Sequence, residues 1–176
     1  MQDFLIKLKL IDYLNTTLSI SKTEFAKRLS QITERGNPNM LLNPFEAFST
    51  DSRLFKGLVS ETGFKLRRKR QFFTYNSTVA QATGTLSEVD GKLIITTEIN
   101  GYNSYFKIFY FFLVIFYVGF ISICMVTDSS FPFPVLPFIV LHAGFMFCIP
   151  YFIMRRGVRQ LKHDLDREFF FLTRNS

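Results

Sequence analysis

Two stretches almost without charge constrain this chain more than anything else in it. From Phe106 to Val126 only Lys107, at the edge, is charged, and the run reads FKIFYFFLVIFYVGFISICMV. Val135 to Met154, VLPFIVLHAGFMFCIPYFIM, is a second uncharged run of similar length. As a helix, about 20 residues rising about 1.5 Å each cover a hydrocarbon core of about 30 Å. The competing fold, two core helices of a soluble protein, needs more than 176 residues to wrap both. The sequence therefore predicts two transmembrane spans, at about 106–126 and 135–154.

The break between them is well marked. Thr127-Asp128-Ser129-Ser130 is polar, and Phe131-Pro132-Phe133-Pro134 cannot continue a helix. Pro137 fits the first turn of the second helix, where its missing N–H costs nothing. So short a connection makes the spans an antiparallel helical hairpin.

Charge sets the expected direction. Residues 1–107 carry 15 Lys+Arg and 10 Asp+Glu, residues 155–176 carry 6 and 3, and residues 108–154 carry only Asp128, which sums to +7. Arg155, Arg156, Arg159 and Lys162 follow the second span directly, and the connecting turn has no cation. The positive-inside rule then predicts both termini in the cytoplasm and the Asp128 turn outside. Met1-Gln2-Asp3 is not a basic start, and Lys7 and Lys9 interrupt the apolar stretch, so no signal peptide is expected. The expected setting is a bacterial inner membrane.

Depth counting gives the hairpin an expected seam. From Thr127 inward and from Pro137 inward, Ser122 and His142 fall at similar depth, as do Gly119 and the Ala143-Gly144 pair. Small residues allow close helix approach in lipid, and a polar group there seeks a partner across the interface. The predicted seam is Gly119, Ser122, His142 and Gly144. Cys148 lies far deeper than Cys124, so both are expected to be free thiols.

The remainder predicts an α+β membrane protein whose cytoplasmic domain, residues 1–104, is built on an antiparallel β-meander. Residues 105–154 form the hairpin, and residues 155–176 a cytoplasmic amphipathic helix. Ser21-Lys22-Thr23-Glu24 fits a capping box, with Phe25, Leu29 and Ile32 on one face and Gly36-Asn37-Pro38-Asn39 as the stop. Leu14, Thr16, Leu18 and Ile20 alternate as in a strand, while residues 3–11 fit strand or helix. The meander runs Leu54–Ser60, Gly63–Arg68, Val79–Val89 and Lys92–Asn100, with Asp90-Gly91 as the strongest hairpin signal. Ala80, Ala82 and Gly84 share one face and leave room for a helix. Val158, Leu161, Leu165, Phe169 and Leu172 supply the stripe of such a helix, with Gly157 as the expected bend. It can pack on the sheet or along the membrane, and the uncovered apolar face of the meander favours the sheet.

Chemistry is sparse. His142 lies inside a span and His163 on the last helix, and neither Cys has a ligand-like spacing to a partner, so no metal, haem or other cofactor is expected. Phosphate-loop, dinucleotide and Gly-x-Ser-x-Gly patterns are absent. Glu46, Asp51 and Glu61 are isolated carboxylates. The chain is expected not to be an enzyme. The basic run Lys65-Leu66-Arg67-Arg68-Lys69-Arg70, followed by Phe72, Phe73 and Tyr75, fits contact with anionic lipid headgroups, a small anionic ligand such as a nucleotide, or an acidic protein partner. It fits equally a solvated face that only assists topology. No nucleic-acid-binding fold surrounds it, so nucleic acid is not expected as a partner.

Two spans alone do not enclose a transport pathway. The expected role is a non-enzymatic accessory or scaffold subunit, with the lipid bilayer, a membrane-protein partner or further copies of itself as associates. The layout of a small β-rich domain with a two-span hairpin resembles, in outline, the membrane effectors of some bacterial defence systems. That layout also suits an oligomeric pore or membrane-disrupting effector gated by its cytoplasmic domain.

Overall fold

A computed structural model describes residues 2–38, 53–69, 79–127 and 136–174. The elements in order are α1 (Gln2–Lys7), β1 (Ile11–Leu18), α2 (Lys22–Gln31), β2 (Thr33–Arg35), β3 (Phe55–Val59), β4 (Gly63–Arg68), β5 (Gln81–Val89), β6 (Lys92–Asn100), α3 (Ser104–Thr127) and α4 (Leu136–Arg174). The chain divides into two units: residues 1–103 with 153–176, and residues 104–152. The hairpin is thus an insertion in the chain of a discontinuous sheet unit.

The sheet has six strands in the order β1-β6-β5-β4-β3-β2. Around Asp90-Gly91, φ is positive at both residues, 51° and 70°, as a two-residue type I′ turn requires. That turn sets Val89 opposite Lys92 and aligns β5 with β6 through to Gln81 opposite Asn100. β3 and β4 pair antiparallel, Phe55 opposite Arg68 through Val59 opposite Phe64, and β4 pairs with β5.

Two departures enlarge the expected meander. β1 joins β6 antiparallel, from Ile11 opposite Asn100 to Leu18 opposite Leu93. At the other edge, Thr33–Arg35, expected to continue a helix as far as Gly36, instead forms β2, parallel to β3. Helix α2 starts as its cap predicts, with Ser21 Oγ accepting from Glu24 N at 3.3 Å. It stops at Gln31, and Thr33 Oγ1 donates back to Leu29 O at 2.8 Å. The ambiguous residues 3–11 separate into α1 and the start of β1. Between them Lys9 N bonds Ile6 O and Leu10 N bonds Leu5 O, a Schellman stop with Lys9 left-handed at φ 57°.

One face of the sheet carries the core. Phe64, Leu66, Ala82, Leu86, Leu93, Ile95 and Ile99 are buried there with Phe25, Ala26 and Leu29 of α2. Val158, Leu161, Leu165 and Phe169 of α4 belong to the same cluster. The ring of Phe169 meets Phe25 and Phe64 edge-on, with centroids 5.4 and 5.9 Å apart. Leu66 lies opposite Ala82, and Phe64 opposite Gly84. Phe64 fills the space above that glycine: a Cβ on Gly84 would lie 2.1 Å from Phe64 Cζ. The gap expected to admit a helix directly is therefore closed by a ring, and the helix packs on the ring. Gly157, expected to bend the last helix, lies buried within the unbroken helical span of α4.

In the hairpin unit, α3 has 24 residues, about 36 Å of helix. Both helices are long and apolar enough to cross a membrane, and only 6% of each apolar window is buried within the chain. Pro150 lies inside α4. The expected turn at residues 128–134 lies outside the described residues.

Candidate functional site

The hairpin unit is stitched by aromatic and polar side chains. Tyr110 and Tyr117 stand seven residues apart on α3, so they share a face. The Tyr117 hydroxyl lies 2.7 Å from His142 Nδ1 on α4, and Tyr110 donates to Phe147 O at 3.2 Å. Phe147 stacks on both tyrosines, with centroid distances of 5.6 and 6.4 Å. Phe116, Tyr117, Phe120, Phe138, Ile139 and His142 line an apolar cavity of about 230 Å³, whose polar feature is the tyrosine–histidine pair.

Of the predicted seam Gly119, Ser122, His142 and Gly144, only His142 meets the facing helix in this way. Nothing lies within 4 Å of where a Cβ would stand on Gly119 or Gly144. Ser122 Oγ donates to Val118 O of its own helix at 2.8 Å. Gly119 follows Tyr117 by two positions, about 200° around the helix, so both cannot line one contact. Tyr117, which meets His142, is not among the residues expected in the seam. The signal that could have found it is its heptad spacing from Tyr110 together with a long polar reach toward His142. Cys124 and Cys148 are free thiols.

The basic run is also rearranged. Strand alternation turns Phe64, Leu66 and Arg68 to the core face and Lys65 and Arg67 to the other. Arg68 pairs with Asp164 of α4. Arg67 is 1% exposed, and its Nε donates to Pro38 O at 2.9 Å. Gln81 Nε2 donates to the same carbonyl at 3.0 Å. Lys69 is buried, with Nζ 2.6 Å from Glu34, whose other oxygen lies 3.1 Å from Lys56 Nζ.

The Lys69 ammonium does most to hold the Glu34 carboxyl below its ordinary range; burial opposes it, and Lys56 adds to the lowering. The residues expected to contact anionic headgroups or a partner are Lys65, Arg67, Arg68, Lys69 and Arg70. Arg67, Arg68 and Lys69 serve internal acceptors, and Lys65 is exposed. Arg70, Phe72, Phe73 and Tyr75 lie outside the described residues, as do Glu46 and Asp51.

No protein-family model matches this chain, and neither the curated proteins nor the solved structures contain a match.

Proposed function

We propose that the chain is a non-enzymatic, two-span protein of a bacterial inner membrane, acting through its sheet unit as an accessory or scaffold subunit. The observation that carries this reading is the bare apolar exterior of the hairpin. Phe111, Phe112, Ile123, Phe138 and Phe152 are each more than 60% exposed, and only 6% of either helix's apolar stretch is buried within the chain, far more bare apolar surface than a water-soluble protein carries. Lipid and a neighbouring membrane helix are the natural covers. The sheet unit uses chain from before and after the hairpin, which supports an even number of crossings. The cations Arg155, Arg156, Arg159 and Lys162 support a cytoplasmic sheet unit.

The polar groups of the spans support an accessory role over a pore. Tyr110, Tyr117, Ser122 and His142 all bond within the hairpin rather than standing free to line a wet interior. Native mass spectrometry of the protein extracted from its host in mild detergent tests the reading. Stable mass from another polypeptide is expected. A ladder of identical subunits overturns it in favour of an oligomeric pore or effector, and a lone monomer overturns it in favour of a tethered binding domain.

A further inference from the structure

We propose that a cavity in the sheet unit, between the α1–β1 connection and α4, binds a phosphate-bearing anion. The cavity has a volume of about 380 Å³, and Lys9, Arg155 and Arg159 are its cations. Asp12 is the one carboxylate among the described residues of its lining, and it is already engaged. Its Oδ2 lies 2.9 Å from Lys162 Nζ and its Oδ1 accepts from Tyr13 N at 2.8 Å. With Asp12 and Lys162 cancelling, three positive charges remain around one space.

Three features of those cations fit an anion seated among them. Arg155 Nε is shielded from solvent and has no acceptor among the described residues. Arg155 and Arg159 are four apart on α4, so they lie one above the other, a spacing at which like charges repel. Lys9 occupies the left-handed stop of α1, where glycine is the customary residue. A long cation there carries backbone strain that glycine would avoid, as residues held for function commonly do.

Guanidinium forks match phosphate oxygens in pairs, and the ammonium adds a point charge. Ile6, Ile11 and Val158 supply apolar wall for the organic part of a phosphate ester. Two sources share this chemistry: an anionic phospholipid headgroup and a soluble phosphate. Arg155 is the first charged residue after the apolar run ending at Met154, which favours the lipid. The lipid source rests on the two-span reading; the phosphate chemistry does not.

The test uses the full chain in neutral detergent. Native mass spectrometry measures retention of phosphatidylglycerol against phosphatidylcholine, and calorimetry measures binding of inorganic phosphate and glycerol phosphate. Wild type is expected to prefer phosphatidylglycerol, to bind the soluble phosphates, or both. Preference for the lipid alone assigns the lipid source, and phosphate binding alone assigns a soluble ligand; each supports the site. Arg155→Gln with Arg159→Gln is expected to weaken whichever binding is seen by at least about tenfold, as loss of charge-assisted bonds does. Lys9→Gly is expected to weaken it while leaving the melting temperature equal or higher, which separates binding from folding. Absence of both bindings, or binding unchanged in the double variant, overturns the proposal. So does an equal loss in Arg167→Gln, an exposed cation of the same helix outside the cavity. Partner capture does not enter any of these readouts, so they can fail without the accessory reading failing.

Discussion

Replacing Phe169 by alanine tests whether the end of α4 and the sheet form one cooperative unit. The ring is fully buried and contacts Phe25 of α2 and Phe64 of β4 edge-on. Truncating such a phenylalanine costs about 3–5 kcal/mol, from lost transfer energy and the cavity left behind. The two edge-on contacts account for about 0.5–1.5 kcal/mol each of specific attraction lost. A small domain has only about 5–15 kcal/mol in all. About 3 kcal/mol corresponds to at least a hundredfold, roughly, in the population of the open state.

Amide hydrogen exchange in detergent reads this residue by residue. Protection of the β4, β5 and β6 amides is expected to fall about a hundredfold or more in Phe169→Ala. Phe170 is the internal control, since it is the same residue type one position on and 61% exposed. Phe170→Ala is expected to change sheet protection by no more than about twofold, as exposed substitutions usually do. Equal, small effects of the two variants on the sheet would refute the reasoning, because they would mean that the helix opens without it.

Three further outcomes follow from particular contacts. Glu34 is held ionised below its ordinary value of 4.5. Its contribution is therefore complete above that pH and is lost as pH falls through the lower folded value. Glu34→Gln should flatten that part of an acid unfolding profile and lower stability at neutral pH by removing the carboxylate that Lys56 and Lys69 share. Gly84→Ala places a methyl group against the Phe64 ring and should cost about 1–3 kcal/mol in denaturant unfolding, while Ser87→Ala on the exposed face should be near neutral. Tyr117→Phe removes the hydroxyl beside His142 and should weaken the hairpin by about 0.6–1.7 kcal/mol, measured by forced or steric unfolding in bicelles.

The parts legible in the sequence were those encoded over short distances. The Asp90-Gly91 turn, the β4 and β6 limits, the Ser21 cap and the two apolar helices all depend on neighbours within a few residues. The pairing of β1 with β6 joins chain 75 to 89 residues apart, and no local pattern states it. β2 was read as helix because three residues are too few to display a period of two.

Alternation in β4 correctly gave Phe64 and Leu66 an inward face, yet Arg67 on the other face is also buried. A period of two names the face of a residue but not whether that face is covered. That is why a run read as a charged surface holds three internally bonded cations. In the hairpin, the small-residue rule selected Gly119 and Gly144, whereas the contact is made by Tyr110, Tyr117, His142 and Phe147. Long side chains bridge a wider gap than glycines are needed for.

A hairpin inserted as proposed leaves and re-enters the side that holds the sheet unit. The most direct measurement is topology mapping in intact cells and inverted vesicles, with protease-cleavable tags at both ends and Ser129→Cys in a background lacking Cys124 and Cys148. The account predicts both tags cleaved only in inverted vesicles and the Ser129→Cys thiol labelled only from outside by an impermeant maleimide. Tags on opposite faces, or extraction of the whole chain by alkaline carbonate, would contradict it.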